Sequence, residues 1–252
     1  MSHYPAPEEI QPITDYTFPL CNEYELCCCP RHSPDIRAIY DVWFAAFKGQ
    51  LILDLIYPDT DLNDEAFRKV HTKGTLEYWK GLSMEHTFQC IDTDTGIIAG
   101  MATWQVYWRE STTEERQKPW IGWLGGDQRE RAENFLEQLW EKMEKWIGPK
   151  RHTATQLQCI LTIRGKGIRA QLMEWGMNVA EQLNLPIYLE STVEGIPLCQ
   201  KLGFQTLSEG ILFKPEITRV NKEVRAPLKV KMHTAVGNMT FEEWEEDKSP
   251  SV

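Results

Sequence analysis

A mixed α/β fold is predicted for this chain of 252 residues, and three observations predict it. Apolar runs short enough for strands alternate with longer segments whose apolar residues recur at spacings of three and four. Leu157 to Ala170 (LQCILTIRGKGIRA) passes from a strand-like run through a basic, glycine-bearing turn into an amphipathic helix. With 42% hydrophobic and 25% charged residues, the chain has the balance of a globular protein able to bury a sizeable core.

The elements follow in order. Residues 1–22 are Pro-rich and expected to be extended, and Tyr24 to Cys29 (YELCCC) reads as the first strand. Ser33 and Pro34 suit an N-cap and a first helical position for a helix over Ile36 to Phe47, with Ile39, Trp43, Ala46 and Phe47 on one stripe. A second helix is expected over Asp64 to Gly81. His86 to Asp92 then pairs with Ile97 to Tyr107 through the turn DTDTG. Residues 108–126 are polar without clear period, and Arg131 to Ile147 carries Phe135, Leu136, Leu139, Trp140, Met143 and Trp146 at helical spacing. Leu157 to Thr162 reads as a buried strand, and Gly167 to Leu183 as a helix that stops at Asn184 before Pro186. Ile187 to Ser191 (IYLES) is the next strand, Gly195 to Leu202 a short helix closed by Gly203, Phe204 a further strand start and Leu228 to Met232 a late strand. The expected organisation is one domain over 23–235, with an insertion at 108–156, and an acidic flexible tail over 236–252.

The turn in the middle says most about chemistry. Free N–H groups at a helix start meet Arg164, Lys166 and Arg169, so partial and full positive charges converge where an anion such as a phosphate would sit. The alternative is a solvated turn whose bases face water.

Composition narrows the classes. A net charge of −10 disfavours nucleic acid as a partner, because phosphate-backbone binding needs a basic footprint. A local basic turn on an acidic body suits a small anionic cofactor better. No apolar run approaches a membrane span, and the N-terminus has neither a signal nor a transit pattern, so a cytoplasmic protein without a membrane partner is expected. Seven cysteines include Cys27, Cys28, Cys29, Cys90 and Cys159 in expected strands, where small thiols pack well. Neighbouring strand residues point to opposite faces and no paired C-x-x-C occurs, so no metal is expected.

The succession strand, R-x-x-G-x, helix, L-P-x-Y-L-E-S, G-x-P-L-x-x-K-L-G-F resembles the GCN5-related N-acetyltransferases, most specifically over Leu157 to Phe204 and less so over the wider stretch from about Tyr24 to His233. The chain is similar in particular to fungal small-molecule acetyltransferase-like members. The resemblance implies a central mixed, twisted sheet with helices on both faces and splayed fourth and fifth strands. It also implies acetyl-CoA as cosubstrate and a small-molecule amine as acceptor, in a monomer or homodimer. On that pattern the cofactor lies along Leu161, Thr162, Ile163, Arg164, Gly165, Lys166, Gly167, Ile168, Arg169 and Ala170, its pyrophosphate on the RGKG turn. Two readings that keep the fold are a noncatalytic CoA-binding or interaction protein, and an enzyme doing other chemistry on a CoA thioester.

Direct transfer needs a base for the amine proton and a proton source for the leaving sulfur. Glu190, ending its strand near the expected reaction centre, is the candidate base; the alternative is a carboxylate that satisfies backbone N–H groups or faces solvent. Cys199 stands where the family often places a tyrosine acid, and an early helical position is expected to lower its pKa; core packing is the blander account. Arg169 replaces the family's Gly or Ala and either blocks or assists the anion. Trp104, Tyr107 and Trp108 come from elements expected to border the acceptor cleft, as do Trp43 and Phe47; core packing is the alternative for each, favoured for Trp43 and Phe47, while Trp108, beside Arg109 and Glu110, is the better candidate for an exposed role.

Overall fold

A computed structural model describes residues 26–30, 36–57, 61–81, 84–113, 115–116, 121, 124–150, 152–159, 167–218 and 224–248. In chain order these form β1 (Leu26–Pro30), α1 (Ile36–Phe47), α2 (Leu51–Ile56), α3 (Glu65–Gly81), β2 (Glu85–Asp92) and β3 (Ile98–Tyr107). Then come α4 (Gly126–Trp146), β4 (His152–Cys159), α5 (Ile168–Gln182), β5 (Ile187–Glu190), α6 (Ile196–Lys201) and β6 (Gln205–Thr206). The chain continues with β7 (Ile211–Phe213), α7 (Pro215–Thr218), β8 (Val224–Ala226), β9 (Leu228–Lys231) and α8 (Phe241–Lys248).

Seven of these strands make one sheet in the order β1-β2-β3-β4-β5-β9-β6, while β7 and β8 form a separate hairpin. Every neighbouring pair in the large sheet is antiparallel except β4 and β5, which run parallel across the α5 crossover. The mixed fold expected from the alternation of periods is therefore present.

Strand alternation sends Ala102, Trp104 and Val106 of β3 and Ile187 and Leu189 of β5 to the face covered by α5, where they meet Leu172, Trp175 and Val179. That stripe is the three-and-four spacing of the sequence. The Trp104 indole is fully buried, and its Nε1–H donates to the Leu172 carbonyl at 3.2 Å. Such close approach of strand and helix depends on Gly176, where a Cβ would stand 2.2 Å from the Trp104 ring. The opposite face carries α1, with Ile39 and Val42 against Ile98 and Met101, and a cluster drawn from α2, α4, β9 and α8.

Several boundaries differ from expectation. β4 spans His152–Cys159 rather than Leu157 to Thr162. Its first half (HTATQ) carries little apolar signal, yet it lies between two strands and gains its stability from ladder pairing, which hydropathy does not report. Residues 160–162 lie outside the described residues. Helix α4 starts at Gly126 rather than Arg131 because its first turn is exposed and polar, with Asp127 placed favourably against the helix dipole. Residues 241–248, expected within a flexible tail, form α8. Thr240 and Glu243 bond reciprocally as a capping box, the Glu243 N–H donating to Thr240 Oγ1 at 3.2 Å and the Thr240 N–H to Glu243 Oε2 at 2.8 Å. Phe241 is wholly buried and Trp244 nearly so, which holds this acidic helix on the body. Asn184, in the left-handed region at φ 52°, ends α5 as its sequence suggests.

Candidate functional site

The site begins with a break in the sheet. β4 pairs with β5 only at Thr153–Ile187 and Ala154–Tyr188. Beyond them β4 stays with β3 as far as Cys159–Gly100, and β5 stays with β9 as far as Glu190–Leu228. The two parallel strands thus separate into a wedge, bordered by Thr155–Cys159 on one side and Leu189–Glu190 on the other. Backbone groups that face the wedge from β4 have no ladder partner among the described strands, so an extended amide-bearing molecule could pair with them.

Helix α5 opens at the same end, because a β-α-β crossover returns the chain from the carboxyl end of β4. Gly167 is its N-cap, in the left-handed region at φ 77° and without a side-chain cap. With only hydrogen there, the N-cap residue leaves the first N–H groups of this fifteen-residue helix without a side-chain cap of its own. Ile168 is buried and anchors the helix, while Arg169 and Ala170 are half-buried. Leu161, Thr162, Ile163, Arg164, Gly165 and Lys166, read as cofactor contacts, lie outside the described residues.

Glu190 is the last residue of β5, at the lip of the wedge, and half-buried. Burial pushes its carboxyl up to about 7, against a smaller downward pull from the Tyr188 hydroxyl. Tyr188, two residues earlier on the same face, is 1% exposed. Its hydroxyl has no partner at standard hydrogen-bond geometry, although burial and, after it, the neighbouring Glu190 carboxylate drive its pKa far upward. Tyr188 was not singled out from sequence, but the alternation in IYLE already puts it beside Glu190.

Cys199 lies on α6, buried in the α5-side cluster with Phe204 and Leu189. Its thiol is 3.9 Å from Ser191 Oγ, and burial pushes it above the ordinary thiol value, correcting the expectation of a lowered one. The helix has six residues and its fourth carries the thiol, so the loss of solvation outweighs any dipole. These surroundings are those of a packing residue. Cys199→Ala is expected to cost about 1 kcal/mol of stability with turnover per folded molecule unchanged; a large rate loss at intact stability would make the thiol a participant.

The three aromatics read as acceptor contacts differ in their surroundings. Trp104 is sealed between β3 and α5, a correction that follows from its full burial. Tyr107 pairs with His152 at the start of β4 and stacks on its ring at 4.5 Å, at the closed end of the wedge. Trp108, next to it, is half-buried beneath the Arg109 guanidinium at 5.2 Å, and Arg109 is in turn held by Glu115. Trp43 and Phe47 pack partly buried among the aromatics of α1 and α2, as favoured. Among the described residues no cluster of His, Cys, Asp and Glu could hold a metal ion, and no helix is long and apolar enough to cross a membrane.

No protein-family model matches the chain. A probable acyltransferase, SID5 of Ajellomyces capsulatus, is 34% identical over 142 residues, which make up 56% of this chain and 99% of that protein. Among solved structures, a mosquito arylalkylamine N-acetyltransferase like 5b superposes with a TM-score of 0.57 at 10% identity, covering 82% of this chain and 99% of the other. The histone acetyltransferase HPA2 and related acetyltransferase from Corynebacterium glutamicum gives 0.54 at 18% identity, over 82% and 96%. At these identities the structural likenesses speak for the fold.

Proposed function

The chain belongs to the GCN5-related N-acetyltransferase superfamily and is an acyltransferase, and from that premise we propose that it moves the acetyl group of acetyl-CoA onto the nitrogen of a small-molecule amine. The observation that carries this reading is the wedge between β4 and β5 with Glu190 at its lip. The chain fits the cosubstrate in two ways. Unpaired strand edges suit the amides of a pantetheine arm, and the uncapped, glycine-led start of α5 suits a pyrophosphate, with Arg164 and Lys166 as the nearby cations in sequence. Bound there, acetyl-CoA supplies an activated thioester.

Glu190 is the base. A carboxyl that titrates near neutrality can accept the proton of an ammonium or attacking amine at working pH, where an ordinary carboxylate is too weak. The wedge holds donor and acceptor together, which supplies the orientation that direct transfer needs. A thiolate leaving group of ordinary thiol pKa, about 8.5, departs without a dedicated acid, consistent with Cys199 serving as packing.

Acetyl-CoA is expected to raise the melting temperature, since a ligand at 100 times its Kd stabilises by about 2.7 kcal/mol. Release of free CoA thiol with a panel of primary amines then reads transfer. In the wild type kcat should rise as pH passes through about 7, as Glu190 loses its proton. Glu190→Gln should lose that limb and about a hundredfold in kcat. Thermal stabilisation without turnover of any amine would leave a CoA-binding protein instead.

A further inference from the structure

We propose that Tyr188 is a positioning residue for Glu190: its hydroxyl donates to the Glu190 carboxylate and fixes that group at the lip of the wedge. The inference rests on the reading of Glu190 as the base. Three observations lead to it. First, Tyr188 and Glu190 are two apart on β5, so their side chains leave the same face of the sheet. Second, the Tyr188 ring is clamped by a core drawn from α4, β9 and α8, including Phe135, Val230 and Phe241, so its hydroxyl has little freedom to seek water. Third, that hydroxyl is buried without a hydrogen bond of standard geometry, a state a phenol does not keep for free.

Among the described residues, Glu190 is the acceptor that shares Tyr188's face of β5. Across the ladder, Leu228 faces Glu190 and Val230 faces Tyr188 from β9, while Ala154 stands opposite Tyr188 on β4. From α2, α4 and α8 the same cluster presents apolar side chains. Among the described residues, Tyr188 and Glu190 are each other's titratable neighbour, and the tyrosine stays protonated throughout the working range. A phenol donating to the carboxylate favours its charged form, while burial disfavours it. The balance between the two keeps the base near neutrality. It also separates this residue from the rest of the strand: Ile187 and Leu189 pack under α5 and cannot reach the carboxylate.

The test reads Glu190 directly and needs no acceptor. Protein carrying glutamate labelled with 13C at the side-chain carboxyl is titrated by NMR, the Glu190 resonance being assigned by its loss in Glu190→Gln. In Tyr188→Phe the midpoint is expected to move up by about one pH unit, the scale of one hydrogen bond to a carboxylate. The limb of kcat should move with it, while KM for acetyl-CoA holds. A tyrosine that only fills space would leave the midpoint where it was, and that result overturns the inference. Melting and near-UV circular dichroism establish that Tyr188→Phe is folded. If it is not, 3-fluorotyrosine at position 188, a stronger donor of nearly the same shape, should move the midpoint down, and an unmoved midpoint there is equally fatal. The base reading fails separately: Glu190→Gln would then keep its rate, whatever Tyr188→Phe does to the titration.

Discussion

Gly176→Ala is expected to destabilise the folded chain by about 3 kcal/mol or more, at the upper end of what overpacking a core costs. The added methyl would stand 2.2 Å from the Trp104 ring, far inside van der Waals contact. Neither partner has an easy escape. The indole is fully buried, its Nε1–H is committed to the Leu172 carbonyl, and Trp175 and Phe88 pack about it, the latter two rings 4.3 Å apart. Moving α5 outward instead would open the interface that carries Leu172, Trp175 and Val179 and would shift Gly167, so the start of the proposed cofactor site moves too. For a chain of this size the loss corresponds to a melting temperature lower by roughly 10 °C. Acetyl-CoA binding should weaken along with it. Trp104→Ala in the same background should recover part of the loss, since the two changes are then coupled through one volume; additive losses in a double-mutant cycle would show that the clash is not the cause.

That contact marks the limit of what sequence can say. The stripe of Ile168, Leu172, Trp175 and Val179 announces a helix and its buried face, but not which strand residue meets it or how closely. Gly176 within the helix looks like a weak point until Trp104 is seen against it. Local punctuation was the most legible part: Asn184 and Pro186 end α5, and DTDTG closes the β2–β3 hairpin with Gly96 at φ 68°. What escaped was set by pairing. β4 starts in a polar stretch because its neighbours supply the hydrogen bonds, and the wedge is a property of two registers that no single segment encodes. The β7–β8 hairpin is too short to show a period, with three residues in each strand. The α8 capping box, Thr240 with Glu243, was readable, but acidity suggested a solvated tail where Phe241 and Trp244 anchor a helix. At the site, the positions of Glu190 and Gly167 were legible. The place of Trp104 was not legible, because an aromatic on a central strand faces either a helix or a ligand and only the packing decides.

Acid should unfold this chain early, and His152 should carry a large share of the loss. Its ring is 2% exposed, Nδ1–H donates to the Lys150 carbonyl at 2.6 Å, and Nε2 is buried without a partner. That arrangement fixes the neutral tautomer with the proton on Nδ1, and protonating Nε2 would place a charge where nothing answers it. Burial lowers its pKa from 6.5 to about 4. The sign follows from linkage: a group whose folded pKa lies below its unfolded one binds its proton first in the unfolded chain, so stability is full above pH 6.5 and falls as pH drops toward 4. At 1.36 kcal/mol per unit, His152 alone removes about 3 kcal/mol across that window. His71, lowered to about 4, and His86, also lowered, act in the same direction. Glu190 opposes them, since its folded value of about 7 lies above the unfolded one of 4.5, and its contribution weakens as pH rises through that interval. Denaturant midpoints measured from pH 7 down to pH 4 should therefore fall steeply in the wild type. They should fall less in His152→Gln, whose side chain has no proton to gain, and more in Glu190→Gln, where the opposing term is gone. Parallel curves for the wild type and His152→Gln would mean that the ring is solvated on the path of acid unfolding and that its burial is not what the stability of the β3–β4 end depends on.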